Sequence, residues 1–485
     1  MDQLSLLLRS LAHYEWVRPP KEDIVVEGIA LDSRQVVPGG LFVAITGSRV
    51  DGHQFIPQAI EKGARVLVVE RWEDINDIEL HPEVAVVRVP DTRVSVGRLA
   101  DAFYGHPSQR MKIVGITGTN GKTTVATLSA QAMQHLGRMA ATIGTLGIWW
   151  PGNQLHTINT TPDPVTLHST MAQMVEDGVE FVFMEVSSHA LNQYRIEAIQ
   201  FQGAVFTNIT RDHLDYHSTM KDYIFTKKRL FDGLSAHTFA LVNADDRRHG
   251  VMVQNTRAKV FTYALRGMAD FAGRLLEHTM DGLLMKVDGQ EVHFPLIGSY
   301  NAANALAAYG ILRLLGVSIN EALQGLSVAV GAPGRMEVVC RRPLVVVDYA
   351  HTPDALAKAI AALRPIAEGK LWVIFGAGGD RDPGKRPLMG QAATRADRIV
   401  LTADNPRSED PRAIIDQIIQ GIDHSYRRHV LIMPDRRQAI ENVLNLANPT
   451  DVVLIAGKGH ETYQEVNGIR HPFDDREVVR KWFNN

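Results

Sequence analysis

The stretch GITGTNGKTT, Gly115 to Thr124, gathers the residues best equipped for chemistry. Gly118 and Gly121 flank Thr119 and Asn120, and Lys122, Thr123 and Thr124 follow. Glycine reaches backbone angles closed to other residues and lets a loop approach a ligand closely. A lysine can neutralise β- and γ-phosphates, and a threonine hydroxyl can face Mg²⁺. The ordinary phosphate-loop spelling is G-x-x-x-x-G-K-[ST]. Five residues before Gly121 stands Ile116, so the first glycine is missing. Context favours the phosphate loop over a tight turn with a surface lysine. MKIVGI reads as a strand and TTVATLSAQAMQHLG as a helix ending at Gly137, and a helix N-terminus attracts anions. Hard donors recur nearby: Glu185 closes VFME, and His213 and Asp215 follow FTNITRD. Singly each could be a cap or a surface residue. Together they suit a metal-bound phosphoryl site.

The elements that must position these clusters repeat one pattern. MKIVGI precedes TGTNGKTT, VEFVFME precedes VSSH, GAVFTNI precedes TRDHLDYH, and TFALVNA precedes DD. Unbroken apolar runs alternating with helical stretches predict a parallel sheet covered on both faces. After GAPGRMEVV, near residue 331, the pattern restarts with PLVVVDYAH, LWVIFGAGGDRD, DRIVLTADNPR and DVVLIAGKGHE. Ligands of open α/β sheets sit at strand carboxyl ends, where these polar clusters fall, and two such edges are expected to face across a cleft. The first hundred or so residues read as a small α/β unit. LFVAITG and ARVLVVE are its strands, and HQFIPQAIEKG is a helix ending at Gly63. YGHPSQR, residues 104–110, reads as a linker, and MDQLSLLLRSLAHYEW as an amphipathic helix.

A chain of 485 residues is too long for one core, and two to four domains are expected. Apolar content of 45% and charged content of 22% describe an ordinary globular protein. A formal net charge of −3 gives no reason to expect nucleic acid or an anionic membrane surface. Cys340 is the only cysteine, so no internal disulfide forms, which fits a reducing cytoplasm. The N-terminal apolar stretch is too short and interrupted to span a membrane, and Asp2 stands where a secretory leader would be basic. A mature, soluble, cytoplasmic protein is expected.

At this point a resemblance enters. G-T-N-G-K-T, Gly118 to Thr123, is the form of the loop in the Mur ligases, ATP-dependent amide-forming enzymes of peptidoglycan synthesis. EVSSHAL, TNITRDHLDYH, GSYNAANALAA, GRMEVV, DYAHTPDAL, GAGGDRDPGKRPLMG, DNPR and GKGHETYQ match that family in order, across essentially the whole chain. The resemblance implies three α/β domains. Residues 1–105 would bind the UDP group, 106–332 would form a central P-loop-type parallel-sheet domain, and 333–485 a Rossmann-like domain that brings an amino acid. It implies Mg²⁺, ATP, UDP-N-acetylmuramoyl-L-alanyl-D-glutamate and meso-diaminopimelate as cofactor and substrates, and a monomer.

The resemblance also assigns residues. Gly118, Thr119, Asn120, Gly121, Lys122, Thr123, Thr124, Asn301, Arg335, Asp348 and His351 would serve ATP. Glu185 and His213 would ligate metal with Thr123. Asp348 and His351 could instead cap the helix starting near Pro353. Leu31, Ser33, Ser48, Arg49 and Val50 would meet the uridine diphosphate. Thr160, Thr161, Ser187, Gln193 and Arg195 would hold the muramoyl peptide. In YIFTKKRLF the bland reading is a solvated basic pair. The family's carbamylated lysine aligns with Lys227, and Lys228, about 100° further round the helix, should point elsewhere. D-N-P-R marks the diaminopimelate-adding members. Asp404, Asn405, Pro406 and Arg407, with Arg381, Gly457 and Glu461, would take that amino acid, Arg407 gripping its distal carboxylate.

Other readings stay open: a lysine-adding ligase of the same family, a folylpolyglutamate-synthetase-like ligase, a kinase releasing phosphorylated product, and a nucleotide-switched binding protein.

Overall fold

The computed structural model describes residues 2–47, 50–72, 83–210 and 216–484. The chain divides into two compact units, Met1–Ala126 with Gly137–Phe261, and Thr127–Leu136 with Thr262–Asn485. No helix among the described residues is long and apolar enough to cross a membrane.

The first unit contains two sheets. The smaller has the order Glu15–Arg18, Ala85–Arg88, Val66–Val69, Leu41–Val43, Ile29–Ala30. Its last four strands are parallel, and Glu15–Arg18 pairs antiparallel at the edge. Val66 and Val68 pack against Leu4, Leu7 and Val96, whereas Leu67 and Val69 pack against Ile56 and Ala59. Burial on both faces is why VLVV, Val66–Val69, is apolar without a break. HQFIPQAIEKG folds as the 3₁₀ turn Gly52–Phe55 running into the helix Ile56–Glu61, and Gly63, at φ +96°, stops it.

The N-terminal expectation needs correction. The helix covers only Leu4–Leu8. Glu15 and Trp16 instead pair with Arg88 and Val87, a return that one continuous helix could not make. The stretch 104–110 is compact: His106 at φ +53° leads into the 3₁₀ turn Pro107–Arg110, with Pro107 and Ser108 buried.

The larger sheet of this unit carries the order Asn153–Leu155, Gly147–Trp150, Ala140–Gly144, Phe181–Glu185, Lys112–Thr117, Phe201–Phe206, Phe239–Asn243. The five strands from Ala140–Gly144 onward are parallel, as expected. Val182, Met184, Ala204 and Phe206 enter one core with Leu167 and Phe231 from covering helices. Each of the larger side chains removed from water contributes roughly 1.5–3 kcal/mol.

The second unit begins with an antiparallel meander, Phe271–Thr279, Gly282–Val287 and Gln290–Phe294, which the apolar-run pattern did not announce. The helices Asn301–Leu314 and Ile319–Ser327 follow, the latter closed by a Ser318–Glu321 capping box. A six-stranded sheet then runs Glu337–Arg341, Leu344–Asp348, Val452–Ala456, Leu371–Phe375, Arg398–Leu401, Val430–Ile432. All but the first strand are parallel. Alternate residues again feed two cores, Val346 and Val373 one, Val347 and Ile374 the other. This doubly wound sheet presents its ligand edge at the strand carboxyl ends.

Candidate active site

In the first unit, Thr117 ends a central strand and the helix Lys122–His135 begins five residues later. Ile116 is not part of the loop. It is fully buried and paired with Glu185 on one side and Val205 on the other. The turn starts at Gly118, φ +149°, where a Cβ would stand 2.0 Å from Thr207 Oγ1. Gly121, at φ +88°, makes the second reversal.

The exit of the next strand pins this loop. Thr119 N–H donates to Asn208 O at 2.8 Å. Asn120 N–H donates to Asn208 Oδ1 and Asn208 Nδ2 returns to Asn120 O, both at 3.1 Å. Thr207 Oγ1 donates to the same carbonyl at 2.7 Å. Thr119 Oγ1 accepts from Thr210 N–H at 3.0 Å and lies 3.1 Å from the Tyr223 hydroxyl. Lys122 Nζ folds back onto Gly118 O and Thr119 O at 3.0 and 2.9 Å. These bonds fix the course of the loop from within the unit itself.

Glu185, 2% exposed, lies beside the loop. Its Oε2 accepts from Thr123 Oγ1 at 3.0 Å and Thr145 Oγ1 at 3.2 Å, and its Oε1 accepts from Thr145 N–H at 2.8 Å. A hydroxyl and a buried carboxylate are the hard oxygen donors that suit Mg²⁺. No group of three or more His, Cys, Asp or Glu donors gathers among the described residues. His213, Asp215, Ser48 and Arg49 lie outside the described residues.

Residues expected to hold the peptide surround this carboxylate. Thr161 Oγ1 donates to Glu185 O at 2.9 Å and accepts from Ser187 N–H at 3.3 Å. Thr160 Oγ1 lies 3.3 Å from Thr145 Oγ1. Ser187 caps the helix Ser188–Asn192 by accepting from Ala190 N–H. Arg195 donates to Thr161 O at 2.8 Å and twice to Gln193 Oε1, at 2.6 and 3.0 Å. Burial lowers the pKa of this guanidinium, against the field of Asp163. Its hydrogen-bond partners among the described residues are neutral groups, so a ligand anion would find it receptive.

The helix Met220–Asp232 carries both lysines and is capped by Thr219. They are not a solvated pair: Lys227 is 1% and Lys228 2% exposed. They diverge, as the helix period requires. Lys227 Nζ lies 4.8 Å from the centre of the Tyr223 ring, whose hydroxyl reaches Thr119. Lys228 Nζ bonds Asp232 one turn on. In the smaller sheet's region, Ser33 is buried with Oγ donating to Gln58 Oε1 at 2.6 Å, Leu31 is half-buried, and Val50 is exposed.

In the second unit, Asn301 is turned inward: Nδ2 donates to Ile297 O and Oδ1 accepts from Asn304 Nδ2, both at 2.7 Å. The Arg335 guanidinium stacks 4.4 Å from the centre of the Tyr349 ring. Asp348 accepts from Met336 N–H at 2.8 Å and Ala350 N–H at 2.9 Å. Burial raises its pKa, against the pull of Arg335. Neither Asp348 nor His351 caps the helix Pro353–Leu363. Thr352 does, its Oγ1 accepting from Ala355 N–H, and His351 is exposed with Nδ1 2.9 Å from Tyr349 O.

Three strand exits of the six-stranded sheet meet around Asn405. Its Nδ2 donates to Glu461 Oε2 at 2.8 Å, and its Oδ1 accepts from Lys458 Nζ at 3.1 Å and Glu465 N–H at 3.0 Å. Lys458, fully buried, also donates to Glu461 Oε2 at 2.9 Å. Both bonds fall on Oε2, so Oε1 is the oxygen left to a ligand cation. Gly457, at φ +112°, admits no side chain, because a Cβ would lie 2.4 Å from Asp404 Oδ2. Arg407 follows Pro406 in the left-handed region, φ +52°. Its N–H donates to Glu465 O at 3.0 Å, its Nη1 to Gly379 O at 2.6 Å, and its Nε lies 3.6 Å from Glu465 Oε2. Arg381 is exposed on the neighbouring loop.

A clamp joins those two loops. Arg386, 1% exposed, donates to both oxygens of Glu409 at 2.8 Å, to Gln417 Oε1 at 2.8 Å and to Gly378 O at 3.2 Å. These bonds, with one from Asp380 N–H at 2.6 Å, hold the Glu409 carboxyl down at about 2. Sequence reasoning missed Arg386, Glu409, Lys458, Thr145 and Tyr223. Lys458, Arg386 and Tyr223 sit inside motifs already quoted, and that placement was the only signal.

A phosphate loop beside a buried carboxylate, on a parallel sheet, and an acid–guanidinium cluster on a second, doubly wound sheet define a multidomain α/β enzyme that uses a nucleotide. Family comparison agrees. The Mur ligase middle domain matches residues 116–312, the Mur ligase glutamate ligase domain 334–459, and the Mur ligase family catalytic domain 25–104. The UDP-N-acetylmuramoyl-L-alanyl-D-glutamate–2,6-diaminopimelate ligase of Bacteroides fragilis is 44% identical over 469 residues, covering 96% of each chain. Its counterpart in Phocaeicola vulgatus is 46% identical over 466 residues, covering 95% of each. A solved structure of a UDP-N-acetylmuramoyl-L-alanyl-D-glutamate–2,6-diaminopimelate ligase superposes with a TM-score of 0.68 at 35% identity over 95% of each chain. The chain belongs to the Mur ligase family, and it is an ATP-dependent ligase.

Proposed function

We propose that the protein joins an amino group of meso-2,6-diaminopimelate to the D-glutamyl γ-carboxylate of UDP-N-acetylmuramoyl-L-alanyl-D-glutamate, a step of peptidoglycan synthesis. A carboxylate does not condense with an amine unaided in water. ATP transfers its γ-phosphoryl group to the γ-carboxylate, giving an acyl phosphate and ADP. The amine attacks that carbonyl, and phosphate leaves from the tetrahedral intermediate. Nothing here needs a nucleophilic side chain. Catalysis rests on positioning and charge neutralisation.

The main chain of Gly118 to Thr124 cradles the phosphates, with Lys122 as counter-charge. Asn301, Arg335, Asp348 and His351, all in the second unit, are its residues for ATP. Thr123 and Glu185, with His213 and a carbamylated Lys227, hold Mg²⁺, which when bound neutralises phosphate charge. An ammonium cannot ligate that ion, whereas a carbamate offers anionic oxygens. Arg195 takes an anionic group of the muramoyl peptide, with Thr160, Thr161, Ser187 and Gln193 beside it. Leu31, Ser33, Ser48, Arg49 and Val50 meet the uridine diphosphate. The domains run 1–105, 106–332 and 333–485, a division supported by one principal sheet in each. The enzyme works in the cytoplasm as a monomer.

One observation carries the choice of amino acid: Arg407 and Glu461 are fastened to one network through Asn405, Lys458 and Glu465. A guanidinium takes a distal carboxylate, and the open oxygen of Glu461 takes the ammonium beside it, with Asp404, Pro406, Gly457 and Arg381 shaping the pocket. Lysine has no distal carboxylate and would leave Arg407 without its ligand. The test is to supply ATP, Mg²⁺ and the UDP-muramoyl dipeptide, and offer amino acids one at a time. Amide formation with diaminopimelate far above L-lysine is expected. Equal rates with both would reject the choice of amino acid, and phosphate release without any amine would favour a kinase.

A further inference from the structure

Arg436 lies outside every motif quoted above. It opens the helix Arg436–Leu446, yet it is 1% exposed. Asp475, first residue of the helix Asp475–Asn484, is fully buried with it. Nε and Nη2 of Arg436 donate to the two carboxylate oxygens of Asp475, each at 2.7 Å. The same guanidinium donates from Nη2 to Ala456 O at 3.0 Å and reaches from Nη1 to Ala403 O at 3.5 Å. Ala403 immediately precedes Asp404, and Ala456 immediately precedes Gly457. The strands they leave, Arg398–Leu401 and Val452–Ala456, are not neighbours, because Leu371–Phe375 runs between them. One planar group therefore bridges the end of the middle strand and ties together two strand ends that do not pair with each other. Asp404 and Glu461 are near enough for their charges to act on it.

Stability alone is a weak reason for such a pair. Desolvating two charges costs about as much as their attraction returns, and well-packed apolar residues often do better. A rigid five-donor fork offers geometry instead. We propose that Arg436 is a positioning residue for the acceptor amino acid, holding the Asp404 and Gly457 loops in the register that lets Asn405, Arg407 and Glu461 form one pocket. The inference rests on the acceptor reading given above.

Two variants test it. Arg436→Lys keeps the charge and the reach to Asp475 but cannot also span both carbonyls. The double variant Arg436→Met, Asp475→Leu removes both charges and leaves no buried charge unpaired. For each, steady-state KM for diaminopimelate and for ATP is measured on protein whose fold is checked by circular dichroism and thermal melting. The expected result is a KM for diaminopimelate raised about tenfold, the loss of one well-placed hydrogen bond, with the KM for ATP within about twofold of wild type. An unchanged KM for diaminopimelate in either folded variant, equal losses for both substrates, or failure of both variants to fold would overturn the positioning role. A wild type that makes no amide from diaminopimelate overturns the acceptor reading as well, and is told apart by appearing without any substitution.

Discussion

Glu409→Ala should destabilise the six-stranded sheet more than Arg386→Met, although Glu409 is the more exposed partner. Their side chains are 32% and 1% exposed. Removing Glu409 strands a buried guanidinium with only Gln417 and Gly378 O as acceptors. Breaking a buried pair in that direction costs about 3–5 kcal/mol, and the surviving acceptors favour the low end. Removing Arg386 leaves a carboxylate that water can reach. The upper bound on that loss follows from the Glu409 carboxyl, held at about 2 instead of 4.5 chiefly by Arg386 and further by the Asp380 N–H, which stays in the variant. At about 1.4 kcal/mol per pKa unit the shift is worth at most roughly 3.4 kcal/mol. Solvent screening at one-third exposure reduces it to about 1–2 kcal/mol. Because the folded-state pKa is depressed, this contribution is complete above the unfolded value near 4.5 and is lost as pH falls through about 2. Hydrogen exchange at neutral pH, read on Leu371–Phe375 and Arg398–Leu401, gives the local stability without assuming that a multidomain chain unfolds in one step. Urea unfolding between pH 5 and 2.5 then follows the gap between wild type and Arg386→Met, which should close. A larger loss in Arg386→Met than in Glu409→Ala, or a gap that stays constant on acidification, would refute the reasoning.

Lys122→Ala should reduce ATP turnover about 100- to 1000-fold with an unchanged melting temperature; near-normal phosphate release from folded protein would remove Lys122 from the phosphate site. Lys227→Ala should be nearly inactive, and mass spectrometry of the native protein should find the added mass of CO₂ on that lysine. Lys228→Ala should keep its catalytic constants but lose about 1–3 kcal/mol of stability, since it strips a buried ammonium from Asp232; a kcat change as large as that of Lys227→Ala would count against the separation of roles. Arg407→Ala should lose about 2–5 kcal/mol of discrimination for diaminopimelate without gaining L-lysine activity, measured as kcat/KM for each amino acid.

Strand cores were easy to see in the sequence because burial on both faces leaves long apolar runs, as in LWVIF and VVLIA. The phosphate loop was visible because its two glycines answer to local backbone angles. Other features depend on partners far along the chain and leave no local mark. Arg386 meets Glu409 and Arg436 meets Asp475 across 23 and 39 residues, and neither arginine differs in spelling from one on the surface. Lys227 and Lys228 looked solvated because composition records their charge but not that Tyr223 and Asp232 receive them. Of the polar residues ahead of the helix Pro353–Leu363, Thr352 caps it in place of Asp348 or His351 because it alone stands directly before the first turn. The N-terminal helix was overextended because leucine spacing in SLLLRSL cannot show that Trp16 is needed as an edge strand.

The position of Ile116 has a consequence for anyone who reads or edits chains by motif. Writing glycine there would restore the ordinary phosphate-loop spelling and damage the protein. The residue belongs to the sheet, between Glu185 and Val205, and losing its side chain would open a hole beside the carboxylate that the loop needs. The handover from strand to loop has moved two residues along, to Gly118. A search that insists on the first glycine will therefore discard sound nucleotide sites of this build, and a consensus-guided library will propose its worst substitution at the one place where the alignment looks most deficient.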